Sequence, residues 1–299
     1  MHRKIIIGSR GSDLALWQAH YVQRDLEKLG HQTEIRIIKT QGDEIQHLSF
    51  EKMEGKGFFT KELEERLLDN SIDLAVHSHK DLETNPHPQL FVAAVSQRAD
   101  PADMLLIAKD AADSEQKWGL KANPIIGTSS ARRKAQVLHH RPDATLKDLR
   151  GNVPTRISKL RQGQYDAILL AKAGLDRLEI DLTEFVTLRL LPEEFVPAPA
   201  QGVLALQTRG GDMELINILT DLHNAETAEC TEAERRVLNQ CQGGCLLPLG
   251  VYCAPHEAGF VMRAAYTPDW QRPVQYFSEF GDSPRVLSKL ILAKIAAYE

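Results

Sequence analysis

The residues with the clearest potential for chemistry lie between Ile72 and Asn85, where an apolar run ends in His-Ser-His-Lys-Asp. A buried strand that gives way to a charged loop is where α/β proteins place their sites. Asp81 could work there as an acid or base, and Lys80 could keep the carboxylate ionised or bind an anion itself. We therefore interpret Asp81 and Lys80 as candidate catalytic residues.

Two other interpretations of this stretch stay open. Ser78-x-x-Asp81 matches a helix capping box, in which the carboxylate only satisfies backbone donors. Pro86 would end such a helix within about one turn, so a cap would stabilise little. His77 and His79 could share a metal ion, but no third ligand follows at a suitable spacing, and no metal site is predicted.

Several arginines stand at predicted helix starts. A loop of small residues carries Arg10 between a short strand and a helix that Ser12 is predicted to cap. Each arginine in the first turn of a helix costs roughly 0.3 to 1 kcal/mol unless an anion compensates for it. Arginine forks pair with carboxylates or phosphates, so a polyanionic ligand is predicted, with solvated surface arginines as the alternative. The candidates are Arg10, Arg132, Arg133, Arg150 and Arg156.

A cysteine lies on a glycine-rich loop, Gln242-Gly-Gly-Cys245, where little side-chain bulk surrounds the sulfur. It could be a buried structural thiol or an exposed thiolate that acts as nucleophile or covalent anchor, and periodicity does not distinguish the two. The other cysteines, Cys230, Cys241 and Cys253, form no Cys-x-x-Cys pair, so neither a disulfide framework nor a zinc site is predicted.

These residues must be positioned by an ordinary globular chain of 299 residues with 42% hydrophobic and 26% charged residues. The net charge of -5 argues against a nucleic-acid partner. No apolar run approaches membrane-spanning length, so we expect a cytoplasmic protein with no membrane contact.

The chain contains a repeated motif: Ile125-Ile-Gly-Thr-Ser is similar to Ile6-Ile-Gly-Ser, and each segment precedes a predicted helix. The predicted fold class is α/β, with two α/β lobes joined by two crossings that form a hinge, plus a small C-terminal α+β domain. The predicted boundaries are 1–97 plus 200–219 for domain 1, 103–193 for domain 2 and 222–299 for domain 3. Residues 40–57 are predicted to form a mobile loop.

Taken together, these motifs resemble the porphobilinogen deaminase (hydroxymethylbilane synthase) family over nearly the whole chain. The matching segments are Gly8-Ser-Arg with Leu14-Ala-Leu-Trp-Gln-Ala, Gly55-Lys-Gly-Phe-Phe, Val76-His-Ser-His-Lys-Asp, Gly127-Thr-Ser-Ser-Ala-Arg-Arg, Arg150-Gly-Asn-Val-Pro-Thr-Arg, Ala173-Gly-Leu-Asp-Arg and Gly243-Gly-Cys.

The resemblance implies lobes like those of periplasmic binding proteins and a dipyrromethane cofactor on Cys245 through a thioether. It implies that the enzyme adds four porphobilinogen units head to tail with loss of ammonia and releases the linear tetrapyrrole 1-hydroxymethylbilane. Asp81 would help ammonia leave and stabilise the cationic azafulvene. The implied cofactor contacts are Arg10, Ser12, Lys80, Ser129, Arg132 and Arg133, and the implied substrate contacts are Arg10, Arg150, Arg156 and Arg177. A monomer is expected.

Three residues depart from the family pattern: Glu83 where proline is common, Ala200 where glycine is usual, and Leu246 where a polar residue is common. None of them removes a group assigned to catalysis. A non-enzymatic anion-binding module and a zinc-binding regulator are the rival functions; the first leaves Cys245 without a role, and bound zinc would mark the second.

Overall fold

The computed structural model describes residues 3–39, 60–241 and 247–298 of the chain. The chain divides into two compact units. The first comprises Met1–Ala99 and Gly202–Glu229, and the second comprises Asp100–Gln201 and Cys230–Glu299. The chain therefore passes between the units three times, between Ala99 and Asp100, between Gln201 and Gly202, and between Glu229 and Cys230.

The first unit is built on a mixed sheet whose described strands have the order β2-β1-β3-β10-β4. β1 pairs in parallel with β2 and β3, whereas β10 runs antiparallel to both β3 and β4. The strands, labelled in chain order, are β1 (Ile5–Ser9), β2 (Thr33–Ile37), β3 (Leu74–Ser78), β4 (Leu90–Val95) and β10 (Leu204–Arg209).

Helices cover both faces of this sheet because successive side chains of a strand point to opposite sides. Ile5 and Ile7 pack in one core cluster with the apolar face of the first helix, and Ile6 packs against a second cluster on the other side. The helices of this unit are α1 (Asp13–Lys28), α2 (Lys61–Leu68) and α6 (Met213–Thr220).

The larger sheet of the second unit repeats this pairing scheme, with the described strands in the order β7-β6-β8-β5-β9. β6 pairs in parallel with β7 and β8, and β5 runs antiparallel to β8 and β9. The strands are β5 (Asp103–Ala108), β6 (Ile125–Gly127), β7 (Thr145–Lys147), β8 (Ala167–Ala171) and β9 (Phe185–Leu190), and the helices are α3 (Ala131–His140), α4 (Val153–Arg161) and α5 (Lys172–Leu178).

The glycines of the repeated motif, Gly8 and Gly127, have the same structural role in both units. A Cβ added to Gly127 would lie 2.7 Å from the Tyr165 ring and 3.0 Å from Cγ2 of Ile168. A Cβ added to Gly8 would collide with the side chain of Ile72 in the same way. In each sheet the central parallel strand therefore has a glycine at its last or penultimate position, because a side chain packs directly on its backbone.

We expect Gly127→Ala to lower the free energy of unfolding by about 1 to 3 kcal/mol, because overpacking forces neighbours from their positions. The Tyr165 ring cannot move easily, since its hydroxyl donates a hydrogen bond to the Asp148 carbonyl at 2.6 Å. Urea unfolding of the variant measures the change. Gly211→Ala is the matched control, because its added Cβ meets nothing within 4 Å; equal effects of the two substitutions would refute the packing role.

The C-terminal part of the second unit is a small sheet with two helices. Its strands β11 (Leu249–His256), β12 (Gly259–Tyr266) and β13 (Gln275–Gly281) are antiparallel neighbours. Residues from α7 (Ala225–Gln240), α8 (Pro284–Tyr298) and the sheet form one core cluster, in which Cys230 and Cys253 are buried.

The predicted fold class is confirmed: two α/β lobes with similar topology and a small C-terminal α+β part. The residues from Val203 to Gln207 also predict a strand that could return the chain to the first lobe, and β10 confirms it. Sequence patterns missed β5, β7, β9, β13, α5 and α6. The division into three domains with the stated boundaries stays a prediction, as does the hinge. Across the described ranges, no helix has both the length and the apolar character needed to span a membrane.

Candidate functional site

In the first unit, the candidate residues collect at one edge of the sheet. Because β1 and β3 are parallel neighbours, the loops that follow them leave from the same edge. Arg10 and Ser12 follow β1, and Lys80 and Asp81 follow β3. The Ser12 hydroxyl accepts a hydrogen bond from the Ala15 amide at 3.4 Å, so Ser12 caps α1 as predicted.

Asp81 ends a single 3-10 turn, His79–Asp81, and its side chain is exposed. Among the described residues, no hydrogen bond reaches its carboxylate. Ser78 precedes the turn, but its hydroxyl accepts a hydrogen bond from Nε2 of Gln18 in α1 at 2.9 Å and makes no capping bond. The capping-box alternative is therefore wrong, and the carboxylate is accessible to a ligand.

His77 is buried and lies on the face of β3 opposite to that of Ser78. Its Nε2 lies 3.1 Å from Oε1 of Gln207, and the Gln207 amide donates to Glu64 at 2.9 Å. Burial lowers the pKa of His77 to about 4, against which the hydrogen bond to Gln207 acts weakly. In the ranges that the structure covers, no group of three His, Cys, Asp or Glu side chains could hold a metal ion.

The burial of His77 predicts acid sensitivity of the fold. Between the unfolded pKa near 6.5 and the folded pKa of about 4, the unfolded chain takes up a proton that the folded chain does not. The contribution of His77 to the free energy of unfolding is therefore fully present above pH 6.5. It decreases as the pH falls toward 4, by up to about 3 kcal/mol. Urea unfolding across this pH range should show a shallower decline for His77→Asn than for the unsubstituted chain. His20→Asn, at an exposed position, should keep the original slope, and an unaltered slope in His77→Asn would refute the assignment.

In the second unit, the predicted anion-binding residues also collect at one sheet edge. β6, β7 and β8 run parallel, so α3, α4 and α5 all begin on the same side. Ser129 joins two of the loops, since its hydroxyl donates to the Leu149 carbonyl at 3.1 Å and accepts from the Leu149 amide at 3.0 Å. The predicted residues near this edge are Ser129, Arg132 and Arg133 after β6, and Arg150 and Arg156 after β7, whereas Arg177 lies in the last turn of α5.

Arg150 and Arg156 flank the start of α4 as predicted. Asn152 caps this helix through a hydrogen bond from the Thr155 amide at 2.9 Å, and Pro154 lies in the first turn. Nε of Arg156 donates to the Gly151 carbonyl at 2.7 Å, which holds the guanidinium at the helix start. Arg150, Arg156 and Arg177 are each partly buried. Their contacts with substrate stay a prediction.

Arg132 and Arg133 are more deeply placed than a surface anion site requires, with exposed fractions of 5% and 7%. Both pair with Asp103, which is fully buried, at 2.7 and 2.6 Å. Burial by itself raises the pKa of Asp103, but the two guanidiniums outweigh it and hold that pKa far below its ordinary value. The anion required at the start of α3 is thus supplied by the chain itself, and no sequence pattern identified Asp103.

The remaining predicted positions fall partly outside the described residues. Cys245, the loop 40–57 and Leu246 all lie there. Ala200 is buried and has a φ of 60°, in the left-handed region that glycine adopts without cost. Its amide donates to Glu234 at 2.6 Å. Position 200, where glycine is usual in the family, therefore holds an alanine in a strained backbone conformation. It lies just before Gly202, where the chain returns to the first unit.

Residues 5–217 match the family model described as porphobilinogen deaminase, dipyromethane cofactor binding domain. The chain belongs to the porphobilinogen deaminase family. It is 44% identical over 252 residues to a porphobilinogen deaminase of Oceanobacillus iheyensis, covering 84% of this chain and 80% of that protein. It is 40% identical over 275 residues to a porphobilinogen deaminase of Nitrosomonas europaea, covering 91% of this chain and 87% of that protein.

Solved structures give a more distant likeness. One is a periplasmic binding protein of Salmonella typhimurium with high arginine specificity, with a TM-score of 0.41 and 9% identity. The alignment covers 78% of this chain and 97% of that chain. The family is thus established by sequence and not by this structural likeness.

Proposed function

We propose that this chain joins four porphobilinogen units head to tail, with loss of ammonia at each step, and releases the linear tetrapyrrole 1-hydroxymethylbilane. The observation that carries the proposal is the exposed Asp81 carboxylate at the carboxyl end of β3 in a member of this family. A transferase of this kind needs an acid or base that reaches its substrate, and Asp81 is accessible while its neighbours His77 and His79 are buried.

The donor set of the second unit suits a dipyrromethane, because guanidinium groups bind carboxylates through paired hydrogen bonds and each pyrrole carries two carboxylate arms. We assign its covalent attachment to Cys245, and contacts with its carboxylates to Arg10, Ser12, Lys80, Ser129, Arg132 and Arg133. When bound, the cofactor supplies the terminal pyrrole carbon to which substrate is joined.

Asp81 has two tasks in this proposal. Its carboxylate accepts hydrogen bonds from the pyrrole N–H of the substrate and assists the departure of ammonia. It then stabilises the positive charge that develops on the substrate, since a carboxylate opposite a forming cation lowers the barrier. Lys80, adjacent to Asp81 in the chain and partly buried, is the second residue that we assign to catalysis, and it binds a carboxylate arm beside Asp81.

Arg150, Arg156 and Arg177 bind the acetate and propionate arms of the substrate and of the lengthening product, together with Arg10. Two structural features support this assignment. Arg150 and Arg156 flank a helix start at the edge of a sheet, and the α4 N-terminus adds its positive dipole to their charges. Arg177 is assigned by the family resemblance alone.

We also propose three domains with the boundaries 1–97 plus 200–219, 103–193 and 222–299, and a monomeric chain in the cytoplasm that binds no nucleic acid. The net charge of -5 supports the last point. Light scattering on the purified chain tests the monomer, and limited proteolysis tests the boundaries.

The proposed function is tested by incubating the purified chain with porphobilinogen and following both ammonia release and the product. Its intact mass under denaturing conditions is compared with that of the 299 residues alone. A mass excess of two linked pyrroles together with turnover supports the proposal. A chain that neither gains this mass nor releases ammonia after incubation would refute it.

A further inference from the structure

Asp103, the first residue of β5, is the centre of a buried polar cluster at the start of α3. Its Oδ1 accepts hydrogen bonds from Nε and Nη2 of Arg133 at 3.1 and 2.6 Å, and from Nε2 of Gln201 at 3.0 Å. Its Oδ2 accepts from Nη1 of Arg132 at 2.7 Å. One carboxylate therefore fixes three side chains from different parts of the second unit.

The charges in this cluster do not balance. Two guanidiniums, both ionised at neutral pH, face one buried carboxylate, so the cluster retains one positive charge. A buried charge is stable only when a partner compensates for it. A second anion at this position would complete the cluster.

The two arginines differ in the donors they have used. Arg133 donates from Nε, Nη1 and Nη2, to Asp103 and to the Leu169 carbonyl. In the described part of the chain, the hydrogen bonds of Arg132 leave from Nη1 only, toward Asp103 and the Val196 carbonyl. Nε and Nη2 of Arg132 are thus the donors available to a further anion.

The backbone around the cluster is also held in place. Gln136, one turn after Arg132, accepts from the Val196 amide at 2.7 Å and donates to its carbonyl at 2.9 Å. Gln201 donates to the Pro101 carbonyl at 2.7 Å as well as to Asp103. Arg132 therefore has little freedom to turn, and its orientation is set by Asp103 and Val196.

We propose that Asp103 is a positioning residue for carboxylate binding: it orients Arg132, engages Nε and Nη2 of Arg133, and leaves one positive charge at Arg132 that a carboxylate arm of the cofactor or of an incoming porphobilinogen neutralises. This inference rests on the proposed function and adds a residue that touches neither substrate nor cofactor. It narrows the contact proposed above for the pair: Arg132 binds the carboxylate, and Arg133 holds Asp103 in place.

Asp103→Asn should raise the KM for porphobilinogen about tenfold and change kcat by less than about twofold, because misorientation of Arg132 weakens binding in the ground state and the transition state alike. Asp103→Glu keeps the charge and displaces it by one methylene, so it should give a smaller increase and supplies the measurement if Asp103→Asn does not fold. Asp148→Asn is the matched control. Asp148 is exposed and pairs with Lys134 of α3, the helix that carries Arg132. The KM of the Asp148→Asn variant should remain unchanged.

A double-variant cycle separates positioning from general stability. If Asp103 acts through Arg132, Asp103→Asn should change KM little in a chain that already carries Arg132→Gln, because interacting residues are not additive. A second readout is the intact mass: the fraction of protein that carries the two-pyrrole adduct should fall in Asp103→Asn and recover partly in Asp103→Glu.

An unchanged KM in both folded Asp103 variants, or additive effects of Asp103→Asn and Arg132→Gln, would overturn the positioning role. These outcomes are distinct from failure of the proposed function, since that failure would appear in the unsubstituted chain as absence of both turnover and added mass.

Discussion

Asp81→Asn is expected to reduce the turnover of porphobilinogen about a thousandfold while the chain folds and carries its covalent adduct normally. General acid and base catalysis by a positioned side chain contributes on the order of a hundredfold to ten-thousandfold. Asparagine is similar in size to aspartate but can neither take up a proton at neutral pH nor oppose a positive charge. Both tasks that we assign to Asp81 are therefore lost together.

The structure predicts that the fold tolerates this substitution. Asp81 is exposed, and no hydrogen bond to its carboxylate is found among the described residues. Substitutions of this kind change the free energy of unfolding by less than about 0.5 kcal/mol. A loss of activity in Asp81→Asn would thus reflect chemistry and not unfolding.

The measurement is the steady-state rate of ammonia release, with urea unfolding and intact mass on the same preparation. Glu65→Gln is the matched control, since Glu65 is an exposed carboxylate on α2 of the same unit, and it should retain full turnover. Near-normal turnover in Asp81→Asn would remove Asp81 from the catalytic residues.

Cys245→Ser is expected to abolish the mass excess of two linked pyrroles and, with it, turnover. A serine hydroxyl is a far weaker nucleophile than a thiolate at neutral pH, so the thioether bond does not form. Without a covalent anchor the first condensation loses the advantage of a fixed reaction partner. The intact mass under denaturing conditions, before and after incubation with porphobilinogen, measures this effect.

Cys241→Ser provides the control for Cys245→Ser. Cys241 is a partly buried cysteine four positions earlier in the chain, and its replacement should leave the mass excess in place. If Cys245→Ser retains the adduct and Cys241→Ser loses it, the anchor has been assigned to the wrong thiol.

Local signals in the sequence were sufficient for elements whose ends are set by neighbouring residues. Ser12 caps α1 as predicted, because its side chain reaches an amide only three residues away. Asn152 caps α4 in the same way, although in the sequence that helix start is indicated by Pro154. β4 spans Leu90–Val95, a short apolar run with flanking polar residues, which is the pattern that favours a strand. The strands β5, β7, β9 and β13 were missed because short strands gain stability from their partners and carry little pattern of their own.

The sequence by itself determined the family, the fold class and the residues proposed for chemistry, because these depend on motifs whose members lie close together along the chain. Only the tertiary structure decided which groups the side chains of these residues contact. It showed that the Ser78 hydroxyl bonds to Gln18, 60 residues away, and caps nothing. It showed that the anion beside Arg132 is Asp103, 29 residues earlier. Such pairs form because a buried charge or hydrogen-bond donor, once removed from water, is stable only when another group of the protein pairs with it. That group can be far away in the sequence, so a local sequence pattern does not predict the pair.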